Sequence, residues 1–457
     1  MIEKNIKNTK LHVGVVALKS ARHKGITLMA LIITIVIMLI LATVTIGAIN
    51  GGLFDYAGKA KTQAEETSIK EGIQKAYILA QTTSKTNKVK EANMQKQIDQ
   101  ILVDQDAVVV QEGDIFIVEI GEKYYEVENN GKVTGPKVFE KLEYAGDITK
   151  GGTCTGTSAK PYRIECIEDL VKLAELTNKK SNIITTSKYY LLVKDLDFNS
   201  IFSYGNYRAK YSYDNTNEVY VRDENSTTTI KELCTTGQGF IPIGLSYSAG
   251  TNFKGIFYGE EQREIRNIYI NRSGVAALFG SGSGVTIKKI TIDGQITSTN
   301  GAAIGFIGTA YNTTINKCIN KARIKGSSAA GFRGDGGKVT ITECVNEGNI
   351  IASGIAVGIS RSGNSTIKKC YNKGNITSSG SHASGIGDYK SAILNCYNSG
   401  NIKAGTGVCC ASGISYWWSG DLYNCYNTGN ITGACVSKAS ARYRNCTAFA
   451  QRLQIML

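Results

Sequence analysis

The spacing of hydrophobic positions changes along this chain. Residues 26–49, "ITLMALIITIVIMLILATVTIGAI", show no alternation and no charge. A helix over them, rising about 1.5 Å per residue, reaches roughly 36 Å and exceeds a hydrocarbon core of about 30 Å. From Asp55 to about residue 83, Ala60, Ala64, Ile69, Ile73, Ala76, Tyr77 and Ala80 fall mostly at helical spacing, and "KVKEANMQKQIDQILV" predicts a second helix. Period two then takes over: "AVVVQEGDIFIVEIGEKYYEVENNGKVTG" predicts three short strands broken at Glu112-Gly113, Gly121-Glu122 and Asn130-Gly131. Residues 144–160 follow neither period and are dense in glycine and threonine, as a linker would be. Beyond Pro161 the pattern predicts a helix over Ile167–Thr177 and strands in "KYYLLVKDLDF", "GFIPIG" and "FKGIFYGEEQREIRNIYIN".

Charge orients the apolar run. Lys4, Lys7, Lys10, Lys19, Arg22 and Lys24 precede it against a single Glu3, whereas the segment after it mixes signs, so the leader stays cytoplasmic and the bulk faces outward. A cleavable secretory signal has an apolar core of only about 7–15 residues, so the run predicts a retained single-pass anchor. With Gly25 directly before Ile26, Thr27, Leu28 and Met29, this stretch resembles a type IV prepilin amino terminus. The resemblance implies a membrane prepilin peptidase as a partner, cutting after Gly25 and leaving Ile26 as an N-methylated first residue. Ala30 stands where that family usually carries a glutamate. Without that carboxylate no intramembrane ion pair registers one subunit against the next, so an anchor is expected rather than a pilus-forming helix.

The third pattern is a repeat. "INKCINKARI", "ITECVNEGNI", "IKKCYNKGNI", "ILNCYNSGNI" and "LYNCYNTGNI" align on Cys318, Cys344, Cys370, Cys396 and Cys425, with three successive intervals of 26 residues. Ile290 and Cys446 hold the same column in weaker copies, and each unit also carries a small-residue segment such as Ala303 to Phe306 or Ser384 to Ile386. A unit this short, alternating β-prone triplets with Gly-Asn corners, suits one coil of a solenoid with rungs about 4.8 Å apart. The cysteines then form an inward ladder. Asn320, Asn346, Asn372, Asn398 and Asn427 form a second ladder at a corner, their amides bonding to one another and to the turning backbone. Glycines 348, 374, 400 and 429 are expected to give that backbone a positive φ. An aliphatic residue three before each cysteine (Ile315, Ile341, Ile367, Ile393, Leu422) cannot share its inward direction along a regular strand, so a corner or bulge must lie between them. Parallel Cβ vectors on adjacent rungs sit wider than disulfide geometry, which favours free thiols. These repeats look like the GLUG motif of bacterial extracellular proteins, over about residues 263–446. That resemblance implies a right-handed winding and a surface role.

Composition narrows the chemistry. Fifty glycines against three prolines describe a folded, turn-rich chain. The net charge of +14 leaves +9 beyond residue 25, which suits an acidic partner such as an anionic glycan or wall polymer; no motif for specific nucleic-acid recognition is present. Only His382 lies outside the leader, in "SGSHASG", so Ser-His-Asp or Cys-His catalysis has a single candidate base, read here as a solvated loop residue. There is no HExxH, no CxxC and no His-containing ligand spacing, so no metal or cofactor is expected. A β-helix glycosidase or lyase needs paired carboxylates or an acidic cluster, yet Val285 to Cys446 holds only six acids, in no repeated column, against seventeen Lys and Arg. "SYWWSG" concentrates Tyr416, Trp417 and Trp418 in a loop, a candidate stacking surface for sugar rings. A plug over the last coils is the alternative.

The sequence therefore predicts a mainly β protein: a parallel right-handed β-helix preceded by a transmembrane helix and a small pilin-like α+β head. Its parts are a leader (1–25), a membrane helix (26–52), the head (53–143), a linker (144–160), a leading or capping region (161–262) and the repeats (263–457). The expected function is non-enzymatic adhesion or binding at the cell surface. A structural stalk or pilin-like subunit, and then a polysaccharide-active enzyme, are the alternatives.

Overall fold

The computed structural model describes residues 58–84, 88–139, 154–180, 188–246, 249–388, 390–405, 410–416, 421–433, 435–436 and 453–454. The leader, the apolar run and the Gly25/Ile26 junction lie outside the described residues, as do Trp417, Trp418 and Cys446. No helix among the described residues is long and apolar enough to cross a membrane. The chain divides into two compact units at Lys137 and Val138.

In the first unit, helix α1 (58–82) and helix α2 (Glu91–Ile101) accompany a sheet of β1 (Ala107–Glu112), β2 (Ile115–Ile120), β3 (Lys123–Val127) and β4 (Val133–Val138), in that order. Ile73, Ala76, Tyr77 and Ala80, three or four residues apart, form one buried stripe on α1. They pack with Met94 and Ile98 of α2 and with Phe116, Val118, Tyr125 and Val127 of the sheet. The expected breaks are turns, with Gly113, Gly121 and Gly131 all at positive φ. A fourth strand follows the last of them, because Gly131 closes a turn onto Glu128 and returns the chain to the sheet edge. Ala60 and Ala64 are exposed, so the packed face of α1 begins only near Ile69.

The second unit opens with a strand, Tyr162–Ile164, and helix α3 (Ile167–Asn178), then winds into a parallel β-solenoid. One inward column runs through Tyr162, Tyr190, Phe257, Ile287, Ile315, Ile341, Ile367, Ile393 and Leu422, giving nine rungs. A second face stacks Ile270, Ile296, Ile324, Ile350, Ile376, Ile402 and Ile431. A third, made of small residues, stacks Ala303, Ala329, Ala356, Ala383 and Ala411. These columns make one continuous apolar core, within which Phe306 and Phe332 stack at 4.9 Å and 4°. One expectation fails here. "GFIPIG" forms isolated bridges at Gly239 and Ile243 rather than a strand, because Pro242 has no N–H to donate and Gly239 and Gly244 turn the backbone at positive φ. The strand Gly255–Arg272 follows the expected segment almost end to end, and register shifts after Tyr258 and Ile265 let it continue around the coil.

Candidate functional site

The corner required by the Ile–Cys spacing is a single left-handed residue. Lys289, Lys317, Glu343, Lys369, Asn395 and Asn424 each precede the ladder position and take φ between 49° and 56°. One αL residue turns the strand, so that Ile315 and Cys318, three apart, both face inward; both are fully buried. The thiols close the corner. Cys318 Sγ lies 3.3 Å from the carbonyl of Asn316 and 3.6 Å from that of Ile287 on the previous coil, and Cys344, Cys370, Cys396 and Cys425 repeat the arrangement. The backbone N–H of Cys318 in turn donates to Cys344 Sγ at 3.4 Å. The nine cysteines whose side chains are described are free thiols. Burial pushes the thiols of Cys344 and Cys396 far above their ordinary range, which keeps them neutral.

Asn320, Asn346 and Asn372 donate side-chain amides to Asn346, Asn372 and Asn398 at 2.6, 2.6 and 2.5 Å, and Asn398 donates to Asn427. Each amide from Asn346 to Asn427 also reaches the carbonyl of the glycine two residues on, at 2.8–2.9 Å. At the first rung the ladder meets Ile292, and Asn320 Oδ1 is left buried without a partner. The expected reason for Gly348, Gly374, Gly400 and Gly429 is corrected: none of them takes a left-handed φ. A Cβ at Gly348 would instead lie 2.0 Å from the carbonyl oxygen of Ala322, and the other three meet the carbonyl of the preceding glycine at the same distance. Close approach between coils excludes the side chain.

Between each inward Cys and inward Asn stands one outward residue: Ile319, Val345, Tyr371, Tyr397 and Tyr426 in successive coils. Tyr397 and Tyr426 stack at 4.3 Å and 30°, and Tyr371 sets its ring at 73° to Tyr397. Tyr423 joins them from the neighbouring outward column, above Leu394 and Lys368. Tyr371, Tyr423 and Tyr426 are 40, 39 and 48 % exposed. Neither Lys368 nor Lys369, beside Tyr371, is in an ion pair among the described residues. The expectation from the sequence did not include this row, although period two within "CYN" signals it: if Cys and Asn face inward, the tyrosine between them cannot.

His382 is not a solvated loop residue. Its Nε2 lies 3.1 Å from Asp388 Oδ2, its Nδ1 lies 3.1 Å from Ser381 Oγ, and its ring stacks on Tyr416 at 4.2 Å and 26°. Register explains the grouping: Ala383 pairs with Ala411 and Gly387 bridges Ser415, so His382 and Asp388 flank one short strand and Tyr416 arrives from the next coil. Tyr416 is accordingly half-buried. Another polar group that the sequence did not signal is Arg333, fully buried inside the solenoid. Its guanidinium donates to the carbonyls of Gly337, Ser362 and Gly363 and to Ser365 Oγ, at 2.7–2.9 Å. Among the described residues no group of three or more His, Cys, Asp or Glu is placed to hold a metal ion.

No protein-family model matches the chain, and no curated protein matches it. Among solved structures it is similar to a "putative immunoglobulin A1 protease" from Bacteroides ovatus, at 15% identity and a TM-score of 0.44, over 65% of this chain and 85% of that one.

Proposed function

We propose that this chain is an outward-facing surface protein whose solenoid binds a glycan or an anionic wall polymer along its tyrosine row. The observation that carries the reading is the row itself: Tyr371, Tyr397, Tyr423 and Tyr426 gather on one face of three successive coils, whereas most large apolar side chains of the solenoid are buried. Clustered exposed aromatics on a rigid face mark interaction sites, and their ring faces, edges and hydroxyls suit sugar rings. Lys368 and Lys369 add positive charge where an acidic sugar would lie. The single-pass anchor over residues 26–52, its cleavage after Gly25 by a prepilin peptidase, the GLUG kinship and the right-handed winding belong to the same proposal, supported by the sequence patterns described above. A pilin-like subunit of a surface assembly is the second reading, favoured by the helix-plus-meander build of the first unit.

A glycan array probed with the chain and with a Tyr371→Ala/Tyr426→Ala double variant tests the binding face. Each ring is expected to contribute about 1 kcal/mol, so the double variant loses roughly tenfold or more in affinity. Binding that survives unchanged removes the tyrosine row from the reading.

A further inference from the structure

We propose that Ser381, His382 and Asp388 form a hydrolytic site for carboxylic esters, with Ser381 as nucleophile, His382 as its base and Asp388 as the supporting carboxylate. This goes beyond the binding face and does not rest on it. The two ring nitrogens of His382 are divided between a hydroxyl and a carboxylate, each at 3.1 Å. A carboxylate beside Nε2 accepts a hydrogen bond from its N–H, so Nδ1 keeps its lone pair and faces Ser381 Oγ, as a base must face the hydroxyl it activates.

Accessibility falls along the line in the order such chemistry needs. Ser379 and Gly380, directly before the nucleophile, are exposed and Ser381 is partly so; the His382 side chain is 15% exposed and that of Asp388 is 6%. Asp388 Oδ1 is buried without a hydrogen-bond partner among the described residues, so the side-chain bond to His382 is the one its carboxylate makes there. A buried carboxylate in that state stabilises an imidazolium formed beside it, and the stacked face of Tyr416 does the same. Both ring planes and both nitrogens are therefore set before any substrate arrives.

In the first step Ser381 Oγ adds to the ester carbonyl carbon and its proton passes to Nδ1. The carbonyl re-forms as the C–O bond to the alcohol breaks, and the leaving oxygen takes that proton. Water then adds to the acyl group on Ser381, giving a proton to Nδ1 that returns to Oγ as the acid departs. Among the described residues His382 is the one side chain here placed to protonate a leaving group, and an alkoxide leaves with less help than an amide nitrogen. The site thus suits esters.

The full-length chain is treated with a fluorophosphonate probe and assayed with p-nitrophenyl acetate, beside Ser381→Ala and Asp388→Asn. Wild type is expected to be labelled on Ser381, and Ser381→Ala to lose all labelling with an unchanged unfolding midpoint. Asp388→Asn is expected to lower both labelling and hydrolysis by roughly 10²-fold or more, with the loss greater than any shift in its unfolding midpoint explains. Failure of the wild type to label, or labelling that persists in Ser381→Ala, overturns the proposal.

Discussion

Asn372 donates its side-chain amide to the carboxamide oxygen of Asn398 across 2.5 Å, with both residues fully buried between successive coils. Removing Asn372 takes away that bond, the one it accepts from Asn346 and the one it gives to the Gly374 carbonyl. Asn372→Ala is expected to destabilise the solenoid by about 2–4 kcal/mol, since buried amide groups are left unpaired on both sides. Asn427→Ala, at the end of the described ladder, costs less. Denaturant unfolding of the two variants checks the order, and equal losses would show that the ladder bonds do not set it.

At Gly374 the expected effect is steric. A methyl group there would lie 2.0 Å from the Gly348 carbonyl oxygen, so Gly374→Ala forces adjacent coils apart and is expected to cost more than about 3 kcal/mol. Thermal unfolding followed by circular dichroism measures it, and a variant within 1 °C of wild type would contradict the close approach.

The left-handed corners predict the opposite sign for an exposed site. Lys369 stands at φ 51°, a conformation that is unfavourable for a residue with a Cβ. Lys369→Gly is expected to stabilise by roughly 0.5–1 kcal/mol and Lys369→Val to destabilise by at least about 1 kcal/mol. Paired unfolding midpoints test both signs.

The buried thiols of Cys344 and Cys396, held neutral by burial, are expected to resist iodoacetamide in the folded chain at pH 8 and to react fully in denaturant. Peptide mass spectrometry before and after unfolding reads the difference. Rapid native modification would place them outside the core.

Glu168 provides a pH test within the lead-in to the solenoid. Only 1% exposed, its carboxylate accepts from Tyr211 Oη at 2.8 Å and from the Asn206 N–H at 2.7 Å, yet burial raises its pKa above the usual carboxylate value. A folded pKa above the unfolded value of about 4.3 means stability that is fully present at lower pH and is lost as pH rises through the folded pKa. The difference in unfolding free energy between wild type and Glu168→Gln is therefore expected to shift against the wild type from pH 4 upward. A difference that is flat with pH would rule this out.

Much of the solenoid was legible because its code is local and repeated. The 26-residue interval set the coil, and the period of two within it put Cys318 and Asn320 on one side of the chain. The same period turns Tyr371, Tyr397 and Tyr426 outward, a signal carried by the residues between the inward columns rather than by the columns themselves. His382 was misjudged for a different reason. Its partners Asp388 and Tyr416 are six and thirty-four residues away: Asp388 returns to the ring across one short strand, and only the pairing of that coil with the next brings Tyr416.

The sequence by itself determined the rung, its inward residues and the need for a corner, because strand alternation fixes which side chains share a face whatever surrounds them. Tertiary structure decided how each corner is made and what occupies it. Lysine and glutamate in the left-handed region have no compositional signature, and a glycine excluded by a neighbouring carbonyl reads the same as a glycine chosen for its φ. Distances between coils settle both, and those exist only once the chain has wound back over itself.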